Sequence, residues 1–411
     1  MSYARKKIAL RAAVCVVGVA ALLAGIGAVS RFAYADYLSS DSSLADRRRA
    51  TEMFPGDAEF DIRLIALEER QKKDIHASLL RAVRANPWDA SMWGVLGTDS
   101  LVHGKYAEAE TEFLEATRLS RTFAPRFQLA SCYCQAGDRT DCERWLRTAL
   151  KIPAGNLSSG FALARQLGMT STDVLALIPQ DESTAISYLT YLSSQQDLAG
   201  ARPVADLILH RYPTAGKKVL LDYTLQLASG APVQTEQAVA LWNGMVAAGL
   251  LPDQKIYPGG PPRIIDGDFT ESPTGNAFDW RIGNDQGVTY QRLGNSLQIV
   301  FDGSEPETTN LLWQMISVKP GESYALEYQY EASDLSTPSG LSWHVFDSVT
   351  MAEITKQSLF LSGSETQQKV VFKVPDTCRF PELVLSYVRQ TGTERINGSV
   401  MLKHVEISAQ P

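Results

Sequence analysis

Between Asn86 and Pro153 the same small and bulky residues return at a fixed interval. Trp93, Leu96 and Gly97 precede Gly104, Ala109, Phe113 and Ala116. Phe127, Ala130, Ser131, Gly137, Cys142, Leu146 and Ala149 repeat those offsets, 34 residues on from Trp93 and 33 on from Ala109, Phe113 and Ala116. A period of this size holds one helical hairpin, and no hairpin buries its apolar face alone, so neighbours must stack into a continuous core. Gly97 and Ala109 let two antiparallel helices approach closely, while Trp93 and Phe113 fill the space beside them. Ile75, Leu79 and Ala82 stand 34 residues before Ala109, Phe113 and Ala116, with Pro87 five after Ala82, so residues 58–86 form a first, degenerate repeat.

The period, with the W-x2-L-G and A-x3-F spacings, resembles the tetratricopeptide repeat. That resemblance implies an all-α solenoid that docks a protein partner. The groove-facing positions of its first helices would be Ser91, Thr98, Leu101, Gln128 and Gln135. The family's clamp for free C-terminal carboxylates needs an asparagine and basic residues there, and they are absent. A flatter protein–protein surface is therefore expected. After Pro153 the Gly/Asn/Ser loop 154–159 interrupts the array. Helices are expected to resume at 160–167, 172–178, 183–194, 198–212, 216–228 and 235–248, without the Trp/Gly pattern.

The N-terminal residues carry Arg5, Lys6, Lys7 and Arg11 with no acid, and from Ala12 to Ser30 nothing is charged. Nineteen helical residues span about 28 Å, close to the thickness of a bilayer core. The basic flank predicts a signal anchor, residues 1–35, with the rest of the chain outside the cytoplasm. The competing expectation is cleavage near Ala35, because Ala33-Tyr34-Ala35 has the A-x-A form. Residues 36–57, with Arg47-Arg48-Arg49, read as a short, partly helical juxtamembrane connector.

Residues 251–262 hold Pro252, Pro258, Gly259, Gly260, Pro261 and Pro262, a linker that continues neither a helix nor a central strand. Beyond it the apolar period drops to two: Leu297, Ile299 and Phe301; Tyr324, Leu326, Tyr328 and Tyr330; Leu341, Trp343 and Val345; Val370, Phe372 and Val374. Turn signals at Pro320-Gly321, Pro338-Ser339-Gly340, Ser362-Gly363 and Gly392 separate about eight short strands, the pattern of a double-sheet sandwich. The expected fold is thus multidomain: a transmembrane helix, an all-α solenoid over 58–250 and an all-β sandwich over 263–411.

The run Ile265-Asp266-Gly267-Asp268-Phe269, Trp280, Gln314, the hairpin 318–324 and the closing Val405-Glu406-Ile407 resemble jelly-roll carbohydrate-binding modules with a galactose-binding-like fold. The resemblance implies sugar binding on exposed aromatic rings. Trp280, Trp313 and Tyr290 are the candidates, because Trp343 shares the apolar register of Leu341 and Val345. Where that family holds a structural calcium with paired acids, this chain has Lys403-His404, and Thr270 replaces the opening glutamate. No calcium on Asp266 or Asp268 and no other cofactor is expected.

A net charge of −7 argues against nucleic acid, whose phosphates require a basic surface. His76, His103, His210, His344 and His404 are scattered, and neither H-E-x-x-H nor C-x2-C occurs, so no metal site is expected. G-x-S-x-G and Walker loops are absent as well. Cys134 and Cys142 flank the Gly137-Asp138 turn, where antiparallel helices bring Cα atoms within disulfide reach. The sequence thus points to a non-enzymatic envelope scaffold, with a protein partner on the solenoid and polysaccharide on the sandwich; the resemblance to the two families implies, for that combination, a role in polysaccharide assembly or export. The alternatives are a glycan-active hydrolase using sandwich carboxylates, and a spacer without a ligand.

The topology has a direct check. A reporter enzyme active only outside the cytoplasm, fused after Pro411, is expected to work. Activity solely from a cytoplasmic reporter at the same site would reverse the orientation.

Overall fold

A computed structural model describes residues 3–153, 157–230, 232–252, 255–276, 278–335, 339–359 and 365–410. The Ser362-Gly363 turn, Pro338 and residues 154–156 of the loop after Pro153 lie outside them. The chain divides into two compact units, Met1–Pro179 and Gln180–Pro411.

The first unit is helical throughout: α1 (Tyr3–Ser40), α2 (Leu44–Met53), α3 (Ala58–Arg70), α4 (His76–Ala85), α5 (Ala90–Val102), α6 (Tyr106–Leu119), α7 (Phe123–Gln135), α8 (Arg139–Leu150), α9 (Ser158–Gln166) and α10 (Ser171–Leu175). Local chemistry sets the starts and stops. Asp57, Asp89 and Asp138 accept backbone N–H bonds at the first turns of α3, α5 and α8, each cap contributing about 1 kcal/mol. Gly104 and Gly137 follow α5 and α7 at φ of 72° and 84°, a left-handed backbone that suits glycine.

The recurring residues form the core of this unit. Leu79, Ala82, Leu96, Ala109, Phe113, Leu129, Leu146 and Ala149 are all buried. A Cβ on Gly97 would stand 2.7 Å from the Phe113 ring, so close approach of α5 and α6 requires glycine there. Cys134 at the end of α7 and Cys142 on α8 are joined by a disulfide, with Cα atoms 5.0 Å apart.

Residues 36–57 differ from the expected connector. Helix α1 continues to Ser40, and α2 folds back against it. Ala35, Leu38, Ala50 and Phe60 bury together, with Met53 and Phe54 packed on them. These apolar residues are separated by polar ones in the sequence, which hid the small core they make across three helices.

The second unit begins with α11 (Glu182–Ser194), α12 (Leu198–Arg211), α13 (Pro213–Ala228) and α14 (Pro232–Ala247). The sandwich follows as β1 (Arg281–Ile282), β2 (Val288–Arg292), β3 (Leu297–Asp302), β4 (Thr308–Met315), β5 (Ser323–Ser333), β6 (Leu341–Asp347), β7 (Glu353–Ser358), β8 (Thr366–Lys373), β9 (Pro381–Val388) and β10 (Asn397–Ala409). Two five-stranded antiparallel sheets run β1-β4-β9-β6-β7 and β2-β3-β10-β5-β8. Trp280, Phe301, Tyr328, Tyr330, Trp343 and Tyr387 lie in the core between them.

The Pro/Gly segment does not divide this unit. Leu251 and Ile256 are buried, and the Asn243 amide makes both backbone hydrogen bonds of Ile256, at 2.7 and 2.8 Å. Trp242 of α14 meets Phe278 edge-on at 5.9 Å between centroids, and the Asn276 side-chain amide donates to the Leu221 carbonyl of α13 at 2.5 Å. A Pro/Gly composition limits secondary structure; it does not prevent packing once Trp242 and Phe278 meet.

Trp242 is 2% exposed. Trp242→Ala should cost about 3–5 kcal/mol, lowering the helical and the near-ultraviolet aromatic melting transitions of the second unit together. A sandwich transition left in place would show that the contact does not join the two parts.

Candidate functional site

Alternation along the strands separates two kinds of residue on the β1-β4-β9-β6-β7 sheet. Leu341, Trp343 and Val345 of β6 and Leu383, Leu385 and Tyr387 of β9 belong to the core. Their neighbours Ser342, His344 and Phe346, and Glu382, Val384 and Ser386, therefore point to the opposite, outer face. Register extends this face across all five strands. Arg281 pairs with Trp313, Trp313 with Val384, Val384 with His344, and His344 with Lys356. A second row carries Met315, Glu382, Phe346 and Glu353. A third carries Asn310, Ser386, Ser342 and Ser358.

Each functional side chain on this face is held by another. The Arg281 guanidinium lies 5.2 Å from the Trp313 ring centroid and is hydrogen-bonded to Glu382. Burial lowers the Arg281 pKa, with Glu382 opposing the shift, so the cation is partly desolvated yet paired. His344 stacks on Phe346 at 5.4 Å, nearly parallel. Its Nδ1 is 2.8 Å from Glu353 Oε2 and its Nε2 is 2.7 Å from Ser342 Oγ. An ionised carboxylate only accepts, so Nδ1 of the neutral ring carries the proton and Nε2 accepts from the Ser342 hydroxyl.

Serine, histidine and glutamate in that order have the hydrogen-bond pattern of an acyl-transfer triad. Access to the hydroxyl is closed. Ser342 is only 2% exposed, and β6 is hydrogen-bonded on both sides, to β7 and to β9. The relay fixes a histidine that is itself buried, together with Val384 and Ser386, between the half-buried rings of Trp313 and Phe346.

The three aromatic candidates separate. Trp313 is half-buried on the outer face. Trp280 is fully buried: its ring stacks on Phe269 at 5.7 Å and its Nε1 donates to the Asp266 carbonyl at 2.9 Å. It is unavailable to a sugar, and its assignment as a platform is corrected. Tyr290 pairs with the core residue Ile299 on β2 of the other sheet and packs against the core; burial raises its pKa. Arg281, Glu382, Phe346, Glu353 and Lys356 were not singled out from the sequence, and His344 was read only as one of five scattered histidines, although His344 and Phe346 occupy alternate positions to the apolar run of β6.

At the position corresponding to a calcium site, the donors are already engaged. Asp266 accepts from the backbone and hydroxyl of Thr270 and the backbone of Glu271. The His404 ring lies between Asp268, at 2.5 Å, and Glu406, at 3.4 Å. Burial works against the charged ring, and those two hydrogen bonds outweigh it, raising the His404 pKa. With Asp266 and Asp268 both engaged by protein donors, the residues do not fit calcium.

In the repeats, Ser91, Thr98 and Gln135 are exposed. Leu101 instead packs on the cluster of Ala109, Phe113, Leu129 and Cys132, which removes it from the groove. The Gln128 amide lies over Gly94, where a Cβ would come within 2.9 Å of it. The sequence reading passed over Trp88, Val95 and Val102, which are 74%, 40% and 78% exposed. Val95 and Val102, seven residues apart, share one face of α5 with Ser91 and Thr98, and Trp88 stands in the turn just before the helix; the Val95–Val102 spacing was the available signal.

No family model matches the chain, and no curated protein matches it. Solved structures with similar parts include a carbohydrate-binding module described as "CBM4 structure and function", 13% identical over 36% of this chain and 99% of that one, with a TM-score of 0.30. Over the helices they include YrrB, described as a TPR protein with an unusual peptide-binding site, 14% identical over 50% of this chain and 93% of that one, with a TM-score of 0.25. They also include pilF of Pseudomonas aeruginosa, 15% identical over 54% of this chain and 86% of that one, with a TM-score of 0.26. What those proteins bind is a property of those proteins.

The different placements of the two tryptophans give a test. Trp280→Ala should cost about 3–5 kcal/mol as a core truncation. Trp313→Ala, on the outer face, should cost under about 1.5 kcal/mol. Equal losses in thermal melting would contradict this assignment.

Proposed function

We propose that the protein is a non-enzymatic scaffold of the cell envelope, anchored by α1, whose helical repeats dock a protein and whose sandwich contacts a glycan. The observation that carries the glycan reading is the outer face of the β1-β4-β9-β6-β7 sheet. There the half-buried rings of Trp313, held by Arg281, and Phe346, stacked on His344, lie on one face with the exposed Asn310 amide, Ser358 hydroxyl and Lys356, while Ser342, His344, Val384 and Ser386 among them are buried. Sugar rings present C–H faces and hydroxyl edges, which match aromatic faces and hydrogen-bonding side chains. The charged groups of the centre are internally neutralised, Arg281 by Glu382, so a neutral or weakly charged polysaccharide is favoured.

The non-enzymatic reading is supported by the same contacts. Glu382 is held by Arg281 and Glu353 by His344, whereas glycoside hydrolysis needs one carboxyl group to protonate the leaving oxygen and another to act on the sugar ring or water. On the helices, exposed Val95 and Val102 on α5 and the exposed Trp88 in the turn before it support docking by side-chain burial rather than by a carboxylate clamp. The apolar, basic-flanked N-terminus and the Cys134–Cys142 disulfide both fit a place outside the cytoplasm. A role beside polysaccharide assembly or export follows from that combination.

Calorimetry of the intact chain in detergent against a panel of envelope polysaccharides tests the glycan half. Binding is expected with a Kd of about 10⁻⁴–10⁻³ M, little changed by salt, intact in chelator, and weakened at least about tenfold in folded Trp313→Ala. If nothing binds, or if Trp313→Ala binds like the parent, the sandwich is a spacer or a protein-docking domain.

A further inference from the structure

Helix α1 does not stop where its apolar run stops. The long hydrophobics from Val16 to Val29 are exposed, and at Arg31 the surroundings change. The Arg31 Nη2 donates to the Met53 carbonyl at 3.1 Å, and its guanidinium lies 5.4 Å from the Phe54 ring centroid. Phe32 meets Phe54 at 5.4 Å and Phe60 at 5.5 Å. Four residues beyond Arg31, Ala35 is completely buried. Arg63 of α3 then donates to Asp36 Oδ1 at 2.7 Å and to Ser39 Oγ at 2.6 Å. Ala33-Tyr34-Ala35 thus lies inside a continuous helix, and its last residue belongs to the core shared with α2 and α3.

We infer that α1 is retained and has two roles: one uninterrupted helix is both the bilayer span and the first helix of the folded unit. The inference rests on the reading that the apolar segment crosses a membrane. Proteolysis acts on extended, locally opened chain. Extending residues 33–36 would expose Ala35, break the Arg63–Asp36 pair and separate Phe32 from Phe54 and Phe60. The A-x-A segment is therefore occluded by the fold of the mature chain.

The same packing identifies the surface that meets lipid. The end of α2 is bonded to Arg31, the first charged residue after the apolar run, so the Met53-Phe54-Pro55 turn lies level with the bilayer boundary. Phe32, Tyr34 and Tyr37 are 47%, 46% and 69% exposed on the adjoining turns of α1. Aromatic residues at that level prefer the headgroup layer. The partner of this surface is the bilayer interface, and the helical unit stands on the membrane without a flexible stalk.

The test is expression of the full chain in a bacterial host with active leader peptidase, followed by membrane fractionation and N-terminal peptide mapping. The expected product retains residues 1–35 and resists extraction from the membrane. An exported chain beginning at Asp36 overturns the inference while leaving the envelope reading in place. An uncleaved, soluble cytoplasmic chain defeats the envelope reading itself. A Phe60→Ala, Arg63→Ala double variant should yield at least about tenfold more product beginning at Asp36, because cleavage tracks the population of the open segment. The readout does not require this variant to fold. If it stays as uncleaved as the parent, packing is not what protects the segment and occlusion is refuted.

Discussion

The closure of the sandwich over its aromatic layer determines where everything else on that domain faces. Trp343 lies 6.1 Å from Trp280 and 5.9 Å from Tyr328, bringing residues of both sheets into one cluster. Once Trp343 points inward, a period of two leaves Ser342 and His344 no choice but the outer face. Register with β9 then brings Val384, Ser386 and Glu382 alongside them, and β4 adds Trp313. The outer face is a consequence of core packing, so a change that slips β6 by one residue would turn His344 into the space between the sheets and Trp343 out of it.

Long, regular patterns were legible in the sequence. The recurrence of Ala109, Phe113 and Ala116 at Cys142, Leu146 and Ala149 marked α6 and α8 because helix pairs repeat their contacts. The runs around Tyr328 and Trp343 marked β5 and β6 because several alternations agree. Trp280 offered no such support: β1, directly after it, is two residues long. Trp313 follows two consecutive leucines, and the register shift between Asn310 and Leu312 breaks the alternation next to it. One tryptophan therefore looked like the other, although they occupy opposite environments.

The contacts made by Phe278 and by Ala35 were illegible for another reason. Each depends on residues distant in sequence, and neither lies in a periodic run. Phe278 is buried against Trp242 after a Pro/Gly segment whose composition suggested a hinge. Ala35 is buried by Ala50 and Phe60 beyond a stretch rich in arginine and serine. Such packing costs little when the intervening chain finds backbone partners of its own, as Ile256 does with Asn243. Composition describes what a segment cannot form, whereas tertiary contact decides whether it moves.

This distinction bears on how a weak binding face would act. A module on a slack tether explores many orientations, and its effective concentration at a second site falls as the tether lengthens. Here the sandwich is packed against α13 and α14, so a glycan held at Trp313 would keep one orientation relative to those two helices. For a polymer that presents the same unit repeatedly, rebinding offsets a fast off-rate, and a millimolar face suffices near a crowded surface. Rigidity favours processive contact with one chain over capture of many. A tighter site would hold such a polymer still.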